Sequence, residues 1–530
     1  MKKKLVSALL IGVMAVSMLA GCGGSDAGAG SGSDAGAGSG AAAGGTEAGG
    51  TSGGGSGAAT VTDGADPSTL EPYEIQMAFV GESYPDTDII EGKINEIIQP
   101  KYNTTLNIIP MSWGEFTNKL NLMLSGDEQL DLVPCIGTSN GVTYMNNGQI
   151  IDIKGLYQTY APDVAGVVGE DNVEICTVGG KMYGLPVYKE YSTVAGVMMR
   201  KDLLEASGHS VDEIKSLDDL DQIFADVKAQ NPDMIMLAGR QGSTPGIDLI
   251  TGGYFDGLND NYGVILPDDK EGNVINYFET EEFKSVMTKM YEWAQAGYIS
   301  KDCATMTDAR QNQVKAGTAF AYFTPLKPGV DLQDSLDTTY EMVCTELSPT
   351  WRSTGQVAWI GWGIGRNCKY PERVLETFNE FYTNAEIMNY FNWGIEGQHY
   401  VFVDEEKGII TYPDGVDSQN KTYGYNAGYA IPNQKIAYVW ENNDPSIWEE
   451  YETFNNADPL ISTGFIFDNT AVSTEISALN NVYESYRDAL GSGAVNPEEV
   501  LDDFNAELYN SGLQTVMDEK QKQLDAFLGK

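Results

Sequence analysis

The sequence predicts an α/β fold with mainly parallel sheets and a helical C-terminal region. Short apolar runs alternate with amphipathic stretches from Glu74 onward, the pattern of layered sheets and helices. About 460 residues follow a low-complexity segment, enough for two domains of ordinary size. Beyond about residue 470 the apolar positions keep a helical spacing, with Ile476, Leu479, Tyr483, Tyr486 and Leu490 and then Val500, Leu501, Phe504 and Leu508.

Taken in order, Glu74 to Val80, Leu106 to Met111, Leu130 to Ile136, Val194 to Met199, Met234 to Leu237 and Ala319 to Phe323 read as strands bounded by Gly, Pro or Asp. Helix starts are marked by their caps. Ser112 and Glu115 form a capping box before Trp113, Phe116, Leu120, Met123 and Leu124. Ser216 and Asp219 open a helix whose face is Leu217, Leu220, Ile223, Phe224 and Val227, ending near Pro232. Another runs from about Thr280 through Phe283, Met287, Met290 and Ala294 to Gly297, where a glycine can take the left-handed stop. Pro371 and Pro497 sit at first helical positions, where a missing N–H costs nothing.

The N-terminus carries an address. Lys2, Lys3 and Lys4 precede an apolar run from Leu5 to Leu19, which is too short for a stable membrane span and has the layout of an export signal. Gly23 to about Thr60 is almost all Gly, Ala, Ser and Thr, a composition that cannot bury enough surface to order itself and so predicts a tether. Such a segment of about 40 residues reaches roughly 35 Å. The formal net charge is −44, from 32 basic and 76 acidic side chains, which disfavours nucleic acid and anionic lipid as partners. Beyond Cys22, the cysteines at 135, 176, 303, 344 and 368 are odd in number and without a close pair, so neither a disulfide framework nor a zinc site is indicated.

Catalytic patterns are thin. Gly137-Thr138-Ser139-Asn140-Gly141 matches a nucleophile elbow after a strand, but only His209 and His399 exist and nothing ties either to Ser139. The simpler reading is a glycine-rich turn at a strand's carboxyl end, where open α/β sheets meet ligands. Asp86-Thr87-Asp88 and Asp268-Asp269-Lys270-Glu271-Gly272 lack the ordered spacing of a calcium loop, and Gly361 to Gly365 lacks the third spaced glycine of a dinucleotide site. No cofactor or metal is indicated. Aromatic residues are more telling, with 8 tryptophans and 29 tyrosines, several in loops or at element ends. A flat ring on the C–H face of a pyranose buries apolar area while carboxylates and amides take the hydroxyls. Trp359-Ile360-Gly361-Trp362-Gly363 suits a strand end approached closely by something flat.

These residues carry a resemblance. Leu19-Ala20-Gly21-Cys22 resembles the lipobox of bacterial lipoproteins, which implies cleavage before Cys22 and a lipid on its thiol. Gly179-Gly180-Lys181-Met182-Tyr183-Gly184-Leu185-Pro186, the strand ending in Met199 to Leu204, and Ser125-Gly126-Asp127 with Leu130-Asp131-Leu132 are similar to stretches of extracellular solute-binding proteins of carbohydrate-type ABC importers. Pro371-Glu372-Arg373 after Gly365 resembles the helix start that follows the family's late strand, and Asn392 to Tyr400 together with Asn496 to Glu499 look like a subgroup of larger Gram-positive binding lipoproteins.

The resemblance implies a two-lobed, hinge-linked periplasmic-binding-protein-like fold of type II. The expected layout is a signal peptide over 1–21, a lipid-anchored tether over 22–70, a first lobe from 71–192 plus about 324–393, and a second from 193–323 plus about 394–530. Crossings are expected near Tyr191 to Val194, Ala319 to Thr324 and Gly394 to Tyr400. The implied function is capture of a solute, a mono- or oligosaccharide, at the outer face of the membrane by hinge closure, and delivery unchanged to ABC permease subunits. The expected ligand contacts are Trp113, Asp131, Tyr188, Glu190, Trp359, Trp362, Trp393 and Glu396, with no catalytic residue. A peptide-binding or sensory lipoprotein of the same fold, or a surface glycoside hydrolase, is the competing reading.

Overall fold

A computed structural model describes residues 59–418 and 420–530; Cys22, the signal segment and most of the tether lie outside them. The chain builds β1 (Tyr73–Val80), β2 (Thr104–Met111), β3 (Leu132–Ile136), the hairpin β4 (Thr177–Val178) and β5 (Lys181–Met182), then β6 (Leu185–Pro186) and β7 (Ser192–Thr193). β8 (Ala195–Arg200), β9 (Ile235–Leu237), β10 (Ala319–Pro325) and β11 (Met342–Glu346) follow, before β12 (Trp351–Arg352) and β13 (Ile360–Ile364). The last strands are β14 (Val401–Asp404), β15 (Ile409–Thr411) and β16 (Val439–Trp440). Among the described residues no helix is long and apolar enough to cross a membrane.

The first sheet has the order β2-β1-β3-β13-β6. Between β1 and β2 the helix Thr87–Tyr102 buries Ile90, Ile94 and Ile98, one residue per turn on the face toward the sheet, and stops at Asn103 in the left-handed region. The second sheet has the order β11-β8-β10-β9, and its core takes in Phe224, Met287, Trp293 and the C-terminal helices through Leu479, Phe504 and Leu524.

Both sheets are mixed rather than mainly parallel. β1 runs parallel to β2 and β3, but β13 is antiparallel to β3 and β6. β8 is antiparallel to β10 and β11, while β9 and β10 are parallel. The reversed strands β13 and β8 are those that enter a sheet directly after the chain has crossed from the other core. Apolar periodicity finds a strand but carries no information on its direction.

Three short passages join the two cores. β7 pairs antiparallel with β12, Thr193 opposite Trp351 and Ser192 opposite Arg352, and Arg352 is bridged in parallel to Pro459. Arg352 N–H donates to the Asp458 carbonyl at 3.2 Å, and Leu460 N–H donates to the Arg352 carbonyl at 3.0 Å. Asn455 locks the junction: its Oδ1 accepts from Tyr191 N–H at 2.7 Å and its Nδ2 donates to the Lys189 carbonyl at 2.8 Å.

These passages correct the expected boundaries. The first passage contains Ser192 and Thr193, paired with β12. β10, expected as the second crossing, is an interior strand of the second sheet, and Leu326, Val330 and Met342 pack on that sheet's other face, so the return comes only at β12. The third expected crossing, Gly394 to Tyr400, stays beside the first core, which also takes in Tyr423, Ala427, Ala430, Ile431 and Ala437. The final crossing is therefore near residue 459. The first lobe also takes in residues before 71: Thr60 is fully buried, and Val61 and Thr62 N–H donate to the Glu376 carboxylate at 3.3 and 2.5 Å.

Asn455→Ala removes both partners of two buried backbone groups. It is expected to cost about 1–3 kcal/mol, read as a lower urea midpoint at unchanged slope.

Candidate functional site

Four cavities follow one another along the seam between the two cores. The outermost lies between Leu336 and Asp337 of the helix Val330–Thr338 and the rings of Trp393, Tyr412, Tyr423 and Trp440. The next, between Lys327 and Gln333 on one side and Trp393, Tyr429, Trp440 and Tyr451 on the other, shares Gln333, Trp393, Asn426, Trp440 and Asn443 with it. A third carries Glu190, Gln311, Asp334 and Gln356 and shares Lys327 and Gln333 with the second. The innermost, joined to the third through Thr193 and Gln356, sets Trp351 and Trp359 against the loop Phe255–Asn261. They hold about 230, 190, 270 and 280 Å³ in that order. Each alone falls below the ~300 Å³ where ligand sites usually begin. Joined through shared walls, they form one groove with room for a chain of several units.

Aromatic rings and amides dominate the lining. Trp113, Trp359 and Tyr429 meet in a trio with centroid separations of 6.3, 6.0 and 5.9 Å, and this trio links the second cavity, through Tyr429, to the innermost, through Trp359. Trp113 is 54% exposed although the capping box at Ser112 fixes its helix, with Ser112 N–H donating to Glu115 Oε1 at 3.3 Å. Trp393 stacks near Trp440 at 5.3 Å and donates its indole N–H to the Tyr438 carbonyl at 3.0 Å, which leaves ring surface for the outer two cavities. Gln434 is only 7% exposed, lines the second cavity, and its Nε2 has no protein partner. A buried amide left unpaired is costly unless something else satisfies it.

Charge sits where the middle of the groove meets the crossing. Burial by itself would raise the Glu190 carboxyl, but Lys189 and Lys327 outweigh it and leave the group below the usual carboxylate range, an ionised acceptor. Lys189, nearly fully buried, lines none of the four cavities but contacts residues that do: its Nζ donates to the Glu190 carbonyl at 2.7 Å and the Gln356 carbonyl at 3.3 Å, and lies 5.9 Å from the centre of the Trp359 ring. Burial pushes the Asp334 carboxyl above its ordinary range despite the Tyr322 hydroxyl donating to it at 2.5 Å.

Of the eight residues expected at the ligand, Glu190, Trp359 and Trp393 line this groove, and Trp113 touches it only through the Trp359 and Tyr429 rings. The other four do not. Trp362 is 1% exposed, parallel to Phe79 at 6.4 Å, with its N–H donated to the Ala430 carbonyl at 3.0 Å. Its flanking glycines do answer a close approach, but of the protein's own backbone: a Cβ on Gly363 would stand 2.7 Å from the Tyr183 carbonyl oxygen. Asp131 is fully buried and accepts from the Tyr73 hydroxyl, Gln76 N–H and Gln129 Nε2, so its oxygens are spent on the edge of the first sheet. The Tyr188 N–H donates to the Pro432 carbonyl and its ring packs on Tyr191, outside all four cavities. Glu396 is exposed in a turn and lines none of the four.

Sequence reasoning missed Lys189, Gln333, Tyr429, Gln434 and Trp440. The spacing of Tyr438 and Trp440 on a strand was a usable signal for the last; no local pattern marks the others. The acidic stretches near 86 and 268 are engaged by the chain itself. Asp86 accepts from Thr422, Gln398 and His399, and Asp269 from three successive backbone N–H groups at residues 271–273. His399 uses both nitrogens, Nδ1 accepting from Ile395 N–H and Nε2 facing Asp86. Among the described residues no group of three His, Cys, Asp or Glu side chains is placed to hold a metal.

Two mixed α/β lobes joined by three short passages, with an aromatic groove in the seam, define a clamshell binding protein. Residues 94–395, more than half of the chain, match the family described as "Bacterial extracellular solute-binding protein", and the chain belongs to it. Membership places it among proteins that bind a solute without a catalytic step. Residues 461–529 match a domain of unknown function, DUF3502. A "Carbohydrate ABC transporter substrate-binding protein" of Streptococcus pneumoniae is 27% identical over 464 residues, covering 86% of this chain and 91% of the relative. The fold is similar to that of the N-glycan transport solute binding protein NgtS from S. pneumoniae, with a TM-score of 0.77 at 23% identity over 87% of this chain and 100% of that one. It is also similar to FusA of S. pneumoniae in complex with kestose, with a TM-score of 0.60 at 15% identity over 86% and 99%.

Trp362→Ala is expected to cost about 3–5 kcal/mol as a core cavity, and Trp113→Ala to stay within about 0.5 kcal/mol of wild type; urea titration separates the two. Asp334 gives a pH signature. Its carboxyl has a raised value in the fold, so its contribution to stability is full below the ordinary value near 3.8 and is lost as pH rises through the raised one. Asp334→Asn should therefore be at least as stable as wild type at pH 7, and the advantage should shrink toward pH 4.

Proposed function

We propose that this chain captures an oligosaccharide outside the cell and hands it unchanged to the permease subunits of an ABC importer. The observation that carries the reading is the groove itself. It is elongated, built from connected compartments, faced with tryptophan and tyrosine rings, and edged by amides and an ionised Glu190, the combination that takes pyranose faces and hydroxyls together. Its two walls belong to different cores, so a ligand that touches both binds the closed form better than the open one and draws the lobes together. The relative named as a carbohydrate transporter component and the neighbours named for N-glycan transport or bound to kestose support the same class.

Trp113, Trp359, Tyr429, Trp393 and Trp440 are the proposed stacking surfaces; Glu190, Gln333 and Gln434 are the proposed hydroxyl partners. The export signal and Leu19-Ala20-Gly21-Cys22 support a lipid anchor on Cys22 and a place on the outer face of the membrane. Cys22→Ser should then shift the protein from the cell pellet to the medium.

A thermal-shift screen tests the reading with mannose–N-acetylglucosamine oligosaccharides, kestose, their monosaccharides and peptides of matched size. An oligosaccharide at 100 times its Kd should stabilise by about 2.7 kcal/mol, and Trp359→Ala should remove most of that shift. Stabilisation by peptides alone would end the sugar reading.

A further inference from the structure

The loop Asp256–Gly263 forms one wall of the innermost cavity, and its side-chain hydrogen bonds to the rest of the chain converge on one segment. Ser462 Oγ donates to Asp256 Oδ2 at 2.7 Å, Asn259 Nδ2 donates to the Phe467 carbonyl at 3.2 Å, and the Tyr262 hydroxyl donates to Asn480 Oδ1 at 2.7 Å. Tyr483 bonds the Asn261 side chain. Lys520, on the helix Leu513–Leu528 and 0% exposed, uses all three ammonium donors on the loop: Gly257 carbonyl at 3.1 Å, Asp260 Oδ1 at 2.5 Å and Gly263 carbonyl at 2.8 Å. All these partners lie within 461–529, the stretch that matches the domain of unknown function.

The loop needs such a hold. Leu258 and Asn259 lie side by side at φ of 50° and 83°. Non-glycine residues rarely adopt that region, and keep it only where their surroundings over-determine it. The strained pair faces the groove, and the oxygens that Lys520 gathers flank it on both sides. Lys520 itself touches none of the four cavities, so it acts on a ligand only through the loop.

We propose that segment 461–529 presets one wall of the solute groove, and that Lys520 is the positioning residue that holds the loop 256–263 in its binding shape. The proposal rests on the groove being the solute site. It gives the segment a role in affinity as well as in the core of the second lobe.

The full-length chain carrying Lys520→Met is compared with wild type in two ways: hydrogen exchange of the 256–263 peptide without ligand, and calorimetric Kd for Man5GlcNAc or kestose, whichever stabilises wild type. Exchange in the loop should speed up about tenfold or more while the helix Ser473–Gly491 keeps its protection, and Kd should rise about tenfold. An unchanged loop and Kd, or exchange rising evenly through the whole second lobe, overturns the proposal. Should Lys520→Met fail to fold, Ser462→Ala and Tyr483→Phe each remove one hydroxyl; a Kd raised about threefold at unchanged melting supports the role, and no change in either variant overturns it. If neither sugar binds wild type, the oligosaccharide reading falls and the exchange measurement alone decides the claim about the loop.

Discussion

The fold is organised around a chain that passes three times between two cores, twice through two-residue strands and once past a single bridge at Pro459. β7 and β12 give each other only one short antiparallel pairing, and the third passage is held beside them through Arg352. So small a junction limits relative movement of the lobes to a few backbone dihedrals. Several of its polar groups are nevertheless paired, although the buried Arg352 Nε meets no partner: Asn455 clamps Tyr191 and Lys189, the Ser192 hydroxyl donates to the Phe454 carbonyl, and the Thr193 hydroxyl to the Gly252 carbonyl. Bending is therefore confined to this strip, and the groove lies directly against it, since Thr193 and Trp351 belong to both.

The same arrangement explains where charge is tolerated. Lys189 and Glu190 directly precede β7, and Lys327 directly follows β10 and its turn, so the cations that keep Glu190 ionised come from both lobes. Burial pulls Lys189 toward its neutral form, and the Glu190 carboxylate 3.6 Å away opposes this while two carbonyl oxygens take its N–H groups. Away from this point the groove carries mostly rings and amides, with Asp337 and Lys421 in the outermost cavity and Asp256 and Asp260 in the innermost.

Much of the scaffold was legible locally because caps and apolar spacing are local signals. The capping box at Ser112, the prolines opening the helices Pro371–Thr383 and Pro497–Asn510, and Thr280, which caps Phe283 N–H, all appear where the residues place them. What depends on contacts distant in sequence was not legible. A run such as Ala319 to Phe323 reads the same whether it crosses between lobes or lies in the middle of a sheet. The Gly-Trp alternation at 361–363 correctly implied something pressed against the strand; its identity as the Tyr183 backbone needed β6 to be paired beside it. Trp113 and Trp359 could be singled out because tryptophans in loops and at element ends stand out in a sequence, whereas the surroundings of Lys189 and Gln434 are set by residues distant in the chain, such as Gln356 for the first and Lys327 for the second.

The hydrogen bonds made by residues 61–71 fix where the chain joins the fold. Val61 and Thr62 are fastened to Glu376, the Leu70 carbonyl to Asn103, and the Glu71 carbonyl to Arg373, all on the first lobe. The chain thus enters the described fold through the first lobe and reaches the second by way of the passages at β7, β12 and residue 459.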